Sequence, residues 1–239
     1  MRNLRSSMTL AKTTKEYFEE WHPYDLLIKH NYMRHVEMID CLRTEWEASS
    51  NQMQDVLELG CGNAFAVAKA FKELGAIQYT GVDLSKTALE EAALNLAEIE
   101  GGFKLIESDI RTAWTGLNKD YDLVVAGFCL HHFSSNESLQ ILKDARQRLA
   151  EGGCCMVYDI VTREGEQRED YIERLVEGVQ TREMNMSATQ LESIVHHITH
   201  YDFPISLEEW KELALAAGFK SVECKYRDPE EHYAFLRFS

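Results

Sequence analysis

The sequence contains no run of eighteen or more apolar residues, so no stretch of it is long enough to cross a bilayer as a helix. Nor does a short apolar segment near its start lead into a small-residue cleavage site, and the expected location is the cytoplasm. Basic residues are in short supply: 25 Lys and Arg stand against 40 Asp and Glu, for a net charge of −15. A surface of that sign repels phosphate backbones and anionic headgroups, which sets nucleic acid and membrane aside as partners. Among six cysteines there is no C-x-x-C pair, and Cys129, Cys154 and Cys155 sit in apolar, strand-like runs. They read as reduced core residues, not as a zinc site or a disulfide framework. Internal repeats and low-complexity tracts are missing too. The opening fifteen residues carry Arg2, Arg5, Lys12 and Lys15 with no acid, and read as a frayed terminus in preference to a transit signal.

What is present is enough apolar material, 45% of 239 residues, for one sizeable α/β core. Apolar, β-branched runs at 56–59, 79–82, 103–106, 123–128 and 154–160 alternate with segments of helical period at about 64–74, 86–99 and 136–150. That alternation is how a parallel sheet covered by helices reads. Ser134 with Glu137 forms a capping box before the third helix, and Gly152-Gly153 is placed to stop it. Ser206 with Glu209 opens a last helix running to Gly218, followed by strand-like runs at about 219–227 and 232–238. No helix separates these two runs, so they must pair as an antiparallel hairpin.

Two segments fall outside the alternation. Residues 1–50 form an N-terminal helical segment expected to cover the ligand site, and 51–239 form the main domain. Within it, residues 162–204 are too long for a plain connection. They contain a helix opened by the capping box Ser187 and Gln190, with Leu191, Ile194, Val195 and Ile198 at one-face spacing. Ligands of open α/β sheets bind beyond the carboxyl ends of the strands, which is where this insertion falls; it is placed to be a lid.

The first strand ends in Glu58-Leu59-Gly60-Cys61-Gly62-Asn63-Ala64 and runs straight into a helix. Gly60 and Gly62 let the backbone approach a ligand, and the helix start offers free N–H groups. A dinucleotide site wants glycine at position 65, where Phe65 stands, and a carboxylate at Glu58 sits poorly beside a diphosphate. It suits an ammonium and the positive surroundings of a sulfonium. Asp83, closing the second strand, can accept from two ribose hydroxyls, and Asp109, after the third, can accept from an adenine amine.

In this order, at three successive strand ends, these residues resemble the class I S-adenosylmethionine methyltransferases, in particular small-molecule members with a Leu-His-His motif after the fourth strand. The resemblance spans about residues 54–238. It rests on Glu58-x-Gly60-x-Gly62-x-Ala64, Asp83, Asp109-Ile110, Asp122 to Phe133 with Leu130-His131-His132, and Leu149 to Gly153. It implies a seven-stranded, mostly parallel Rossmann-like sheet of order 3-2-1-4-5-7-6 with a C-terminal antiparallel hairpin and a helical lid. It also implies S-adenosyl-L-methionine as cofactor, held by Glu58, Gly60, Gly62, Asp83, Leu84, Asp109, Ile110 and Phe128, and a small-molecule methyl acceptor. Tyr17, Tyr24, Tyr32 and Arg34 precede the first strand, where members of this family often use an aromatic or an arginine to cover the cofactor; Tyr32 is the candidate.

His131 is the candidate general base, with Asp159, near the end of the neighbouring fifth strand, holding its imidazole. The competing reading is that the two histidines only shape the pocket and Asp159 caps a loop. His196, His197 and His200 read as a solvated helix face off the Leu191, Ile194 and Val195 stripe, and no metal site is expected. Against an O- or N-directed methyltransferase stand a non-catalytic cofactor-binding or partner-binding scaffold and a nicotinamide-dependent oxidoreductase, the latter opposed by Glu58, Phe65 and the terminal hairpin. Oligomeric state is not legible.

Overall fold

Central strands buried on both faces organise the computed structural model, which describes residues 23–49, 54–181 and 186–239, with only the backbone of 23–25. Arg2, Arg5, Lys12, Lys15 and Tyr17 lie outside the described residues, as does the side chain of Tyr24. Among the described residues two helices come first, α1 (Pro23–Lys29) and α2 (His35–Ala48). Then follow β1 (Asp55–Leu59), α3 (Phe65–Phe71), β2 (Ile77–Asp83), α4 (Lys86–Asn95), β3 (Gly101–Glu107), β4 (Tyr121–Gly127), α5 (Ser135–Gln147) and β5 (Leu149–Thr162). The insertion carries α6 (Arg168–Thr181) and α7 (Ala188–Tyr201). The chain closes with β6 (Ile205–Ser206), α8 (Leu207–Ala217), β7 (Val222–Arg227) and β8 (Tyr233–Phe238).

The sheet runs β3-β2-β1-β4-β5-β8-β7, with the two-residue β6 pairing β5 off the main path. Setting β6 aside, this is the expected order 3-2-1-4-5-7-6. β1 to β5 are parallel neighbours, while β8 runs antiparallel to both β5 and β7. Along the central strands the two faces bury into different layers. Val56, Leu123, Val125, Cys154 and Met156 meet α2 and α3, whereas Leu57, Val124, Cys155 and Val157 meet Ile141 and Leu142 of α5 and Trp210 of α8. Both faces being covered is why these strands read as near-continuous apolar runs. All six cysteines are unpaired, and Cys129, Cys154 and Cys155 are buried.

The capping boxes at Ser134/Glu137, Ser187/Gln190 and Ser206/Glu209 are all formed. Three expectations need correction. The third helix ends at Gln147, and Gly152-Gly153 lies inside β5, not after the helix. There Tyr121 pairs Leu149 but Leu123 pairs Cys154, so the strand bulges, and Gly152 takes the positive φ of 81° that the bulge needs. The insertion between β5 and β6 holds two helices, because α6 precedes the one marked by Ser187. His197 is not on a solvated face: it is buried beside Ile194 and Ile198, while His196 and His200 are exposed. No helix among the described residues is long and apolar enough to cross a membrane.

Candidate active site

Strand register aligns the carboxyl ends of the central strands: Leu59 pairs both Val82 and Ala126, Asp83 pairs Glu107, and Gly127 pairs Tyr158. A cavity of about 280 Å³ opens over those ends. Its wall includes Glu58, Gly60, Gly62, Asp83, Leu84, Asp109, Ile110, Phe128, Tyr32 and His131, so every expected cofactor contact and the expected base share one space. Asp159 stands behind the wall, against His131. Arg34 does not line it and instead pairs with Asp228 and Glu230, 3.9 and 3.8 Å away.

The β1–α3 turn is built from left-handed residues. Gly60, Gly62 and Ala64 have φ of 63°, 50° and 54°. At Gly60 an added Cβ would lie 2.6 Å from that of Cys129, whereas at Gly62 it would meet nothing within 4 Å. Gly60 is thus required by packing, and Gly62 faces open cavity. Asp83 fixes this turn by accepting from the Gly62 and Ser85 amides, both at 2.8 Å. Burial raises its pKa, against the pull of those amides.

Glu58 is buried beneath the turn, and the Tyr79 hydroxyl donates to it at 2.5 Å. Burial pushes its carboxyl up to about 8; the Tyr79 bond opposes that rise and the Asp83 charge adds to it. Tyr79 can fold over the carboxylate because Gly81 has no side chain, as a Cβ there would sit 2.9 Å from the ring. At the next strand end Arg111 grips Asp109, Nε at 3.0 Å from both oxygens, and pairs with Glu137 at 2.8 Å. Arg111 holds the Asp109 carboxyl below its usual range. Neither Tyr79 nor Arg111 figured among the sequence candidates.

At the far end, β4 delivers Phe128 in a left-handed conformation, φ 48°, into a short turn over Leu130–His132. Gly127 is obligatory because the Tyr158 ring crosses it, 2.1 Å from where a Cβ would be. Phe128 packs edge-on to Tyr158 and Tyr233 at 5.3 and 5.9 Å. His131 Nδ1 is hydrogen-bonded to Asp159 Oδ1, and the His131 amide donates to Asp159 Oδ2 at 3.1 Å. The expected dyad is therefore brought together. The other imidazole nitrogen faces Asp202, at the end of α7, with Nε2 to Oδ1 at 3.6 Å. Burial lowers the His131 pKa, but Asp159 and Asp202 outweigh it and the net displacement is upward.

Asp202 is not among the sequence candidates, and His197, expected on a solvated face, is buried and lines this cavity with it. Asp202 is buried, and burial raises its carboxyl to about 7. Its backbone carbonyl accepts from Arg168 at 2.7 Å, and the Phe203 amide donates to the His131 carbonyl at 2.7 Å, which ties the insertion to the turn after β4. The insertion also walls the cavity with Leu175, Val179, Ile194, His197 and Ile198.

Residues 56–153 match the model of a methyltransferase domain. Over 185 residues, 75% of this chain, the sequence is 26% identical to the polyketide synthase component of compactin nonaketide synthase from Penicillium citrinum, of which the match spans 6%. Among solved structures, an O-methyltransferase family protein from Burkholderia thailandensis superposes with a TM-score of 0.66 at 16% identity, covering 99% of this chain and 65% of that one. Magnesium protoporphyrin IX methyltransferase from Synechocystis PCC 6803, with bound S-adenosylmethionine, gives 0.63 at 12% identity over 94% and 93%. The chain thus spans a small part of the polyketide synthase and just under two thirds of the Burkholderia protein.

Proposed function

We propose that this chain, whose residues 56–153 match a methyltransferase-domain model and whose sheet has the Rossmann-like order, is a class I, S-adenosylmethionine-dependent enzyme methylating oxygen or nitrogen of a small molecule. The observation that carries the reading is one cavity lined by Gly60, Gly62, three carboxylates and His131, with Asp159 behind the wall against the His131 ring. Glu58 meets the ammonium of the cofactor's amino-acid part and Asp83 the ribose hydroxyls. Asp109 keeps lone pairs for the adenine amine while holding Arg111, since an ionised carboxylate has about four acceptor sites. Leu84 and Ile110 flank the base, and Phe128 with Tyr32 covers the methyl end.

Bound cofactor supplies a methyl group already activated by the sulfonium. The protein's part is to align the acceptor in line with it, keep water out and take a proton from a hydroxyl acceptor. His131 takes that proton and Asp159 positions its ring. Helices α6 and α7 of the insertion expected at 162–204 close over the acceptor, whose apolar body fits against Leu175, Ile194 and Ile198. The test is melting temperature with S-adenosylhomocysteine or with NADH, followed by a methyl-transfer screen. A rise with the first ligand alone is expected. A rise with NADH alone would overturn the reading, and S-adenosylhomocysteine binding without turnover on any acceptor class would favour a scaffold.

A further inference from the structure

Three imidazole nitrogens surround one carboxylate oxygen at the acceptor end. Asp202 Oδ1 lies 3.3 Å from His197 Nε2, 3.6 Å from His131 Nε2 and 3.7 Å from His132 Nδ1. The four candidate ligand atoms all fall within 4.8 Å of one another, and their side chains are at most 10% exposed. Asp202 Oδ1 itself accepts no hydrogen bond among the described residues. A buried carboxylate oxygen left so is costly, and its neighbours are too far or too poorly aligned to relieve it. The two separations from Asp202 Oδ1, 3.3 Å to His197 Nε2 and 3.6 Å to His131 Nε2, match the edges of a tetrahedron whose centre lies about 2.0–2.2 Å from its corners, the bond lengths of nitrogen and oxygen ligands to zinc.

We propose that His131, His197 and Asp202 hold a divalent transition-metal cation of the zinc class at the acceptor end of the cavity. His132 Nδ1 is engaged with the Tyr201 carbonyl at 3.1 Å, which leaves the fourth position of the proposed site to a ligand from the cavity that His131, His197 and Asp202 line. Two further features fit. A ligating histidine is normally oriented by a carboxylate on its other nitrogen, and Asp159 does this to His131 Nδ1. Imidazole donors favour zinc-like cations over magnesium or calcium, which take oxygen ligands. The site stands whether or not the chain transfers methyl groups. If it does, a cation with an open position lowers the proton affinity of an acceptor oxygen bound to it. His131 then serves as ligand in the loaded protein and as base only without the cation.

The experiment uses the full chain with any affinity tag removed, stripped by a chelator and titrated with Zn2+ by calorimetry and with Co2+ by visible absorption. One site per chain is expected, with the intense visible bands of four-coordinate Co2+. Asp202→Asn and His197→Ala should weaken it at least a hundredfold, and Asp159→Asn about tenfold to a hundredfold. Far-ultraviolet circular dichroism checks that the variants fold, and Asp202→Asn, nearly isosteric, decides if His197→Ala does not. The exposed pair His196 and His200 is the competing site: the double alanine variant should bind as wild type does. Loss of binding in that variant, or no saturable binding by wild type at micromolar Zn2+, overturns the proposal. S-adenosylhomocysteine affinity on the same protein reports the methyltransferase reading separately.

Discussion

Glu58 gives the sharpest handle on cofactor binding. Its carboxyl is buried under the glycine turn with an upward-displaced pKa of about 8, and the groups acting on it are the Tyr79 hydroxyl and the Asp83 charge, with no cation among them. At pH 7 the empty site therefore holds Glu58 mostly protonated. An ammonium arriving beside it favours the ionised form, so binding expels a proton. With a free-state pKa near 8 the ionised fraction rises about tenfold between pH 6 and 7, and affinity for S-adenosylhomocysteine should rise by nearly the same factor. Calorimetry in two buffers of different ionisation enthalpy should show close to one proton released per ligand at pH 7. Glu58→Gln should release none and bind with little pH dependence, weaker than wild type at pH 8 by about 1.5–3 kcal/mol for the lost charge-assisted bond. A wild-type affinity flat from pH 6 to 7.5, with no proton released, would refute the argument. The sign for stability follows. A folded pKa raised from 4.5 to about 8 penalises the empty fold progressively as pH climbs through that window, so Glu58→Gln should gain on wild type as pH rises. About 5 kcal/mol is the upper bound.

Gly127→Ala should lower stability by about 1–3 kcal/mol or more, because its Cβ falls on the Tyr158 ring; a melting temperature within a degree of wild type would contradict the packing. Asp83→Ala should weaken S-adenosylhomocysteine binding by about 2–4 kcal/mol, read as a dissociation constant, and an unchanged constant would remove Asp83 from the site. Arg168→Ala severs the bonds to the Asp202 and Thr199 carbonyls, so amides of α7 should exchange faster, while ligand and acceptor together should slow them in wild type. Equal exchange with and without ligands would mean the insertion does not close. In protein freed of metal, His131→Ala and Asp159→Asn should cost about a hundredfold or more in turnover with cofactor affinity intact; under tenfold in both leaves catalysis to alignment alone.

The half of the site proposed to hold the cofactor was legible because its demands are local. A left-handed backbone asks for glycine, and Gly60 and Gly62 answer within three residues; Asp83 closes β2 and Asp109 follows two residues after β3, so alternation alone puts them at neighbouring strand ends. The terminal hairpin and the capping boxes were legible for the same reason, each being decided by residues a few positions apart. The bulge was not. Gly152-Gly153 after a helical pattern reads as a stop, and only the register between Tyr121 and Leu123 shows that the glycines serve a strand. Tyr79 had a faint signal, since parallel pairing sets Glu58 opposite Gly81 and leaves room for an aromatic two residues earlier to fold over.

The acceptor half obeys a different rule. His197 and Asp202 reach His131 only because α7 docks with its Ile194 and Ile198 edge inward, and the stripe through Leu191, Ile194 and Val195 centres that helix about 60° away from where packing turns it. Docking is settled by contacts with distant parts of the chain: Arg168 on the Asp202 carbonyl and the Phe203 amide on the His131 carbonyl. Neither leaves a periodic trace in the segment it fixes. Backbone-shaped binding of a common cofactor therefore writes itself into short motifs, whereas acceptor recognition by side chains on an inserted helix pair does not. A rotation of α7 by one residue, about 100°, would carry His197 out of the cavity and leave every motif of the cofactor site as it is. Under the proposed function, reaction class and acceptor choice are in this sense separable in the fold: variation in α6 and α7 would change what is methylated without disturbing Glu58, Asp83 or Asp109.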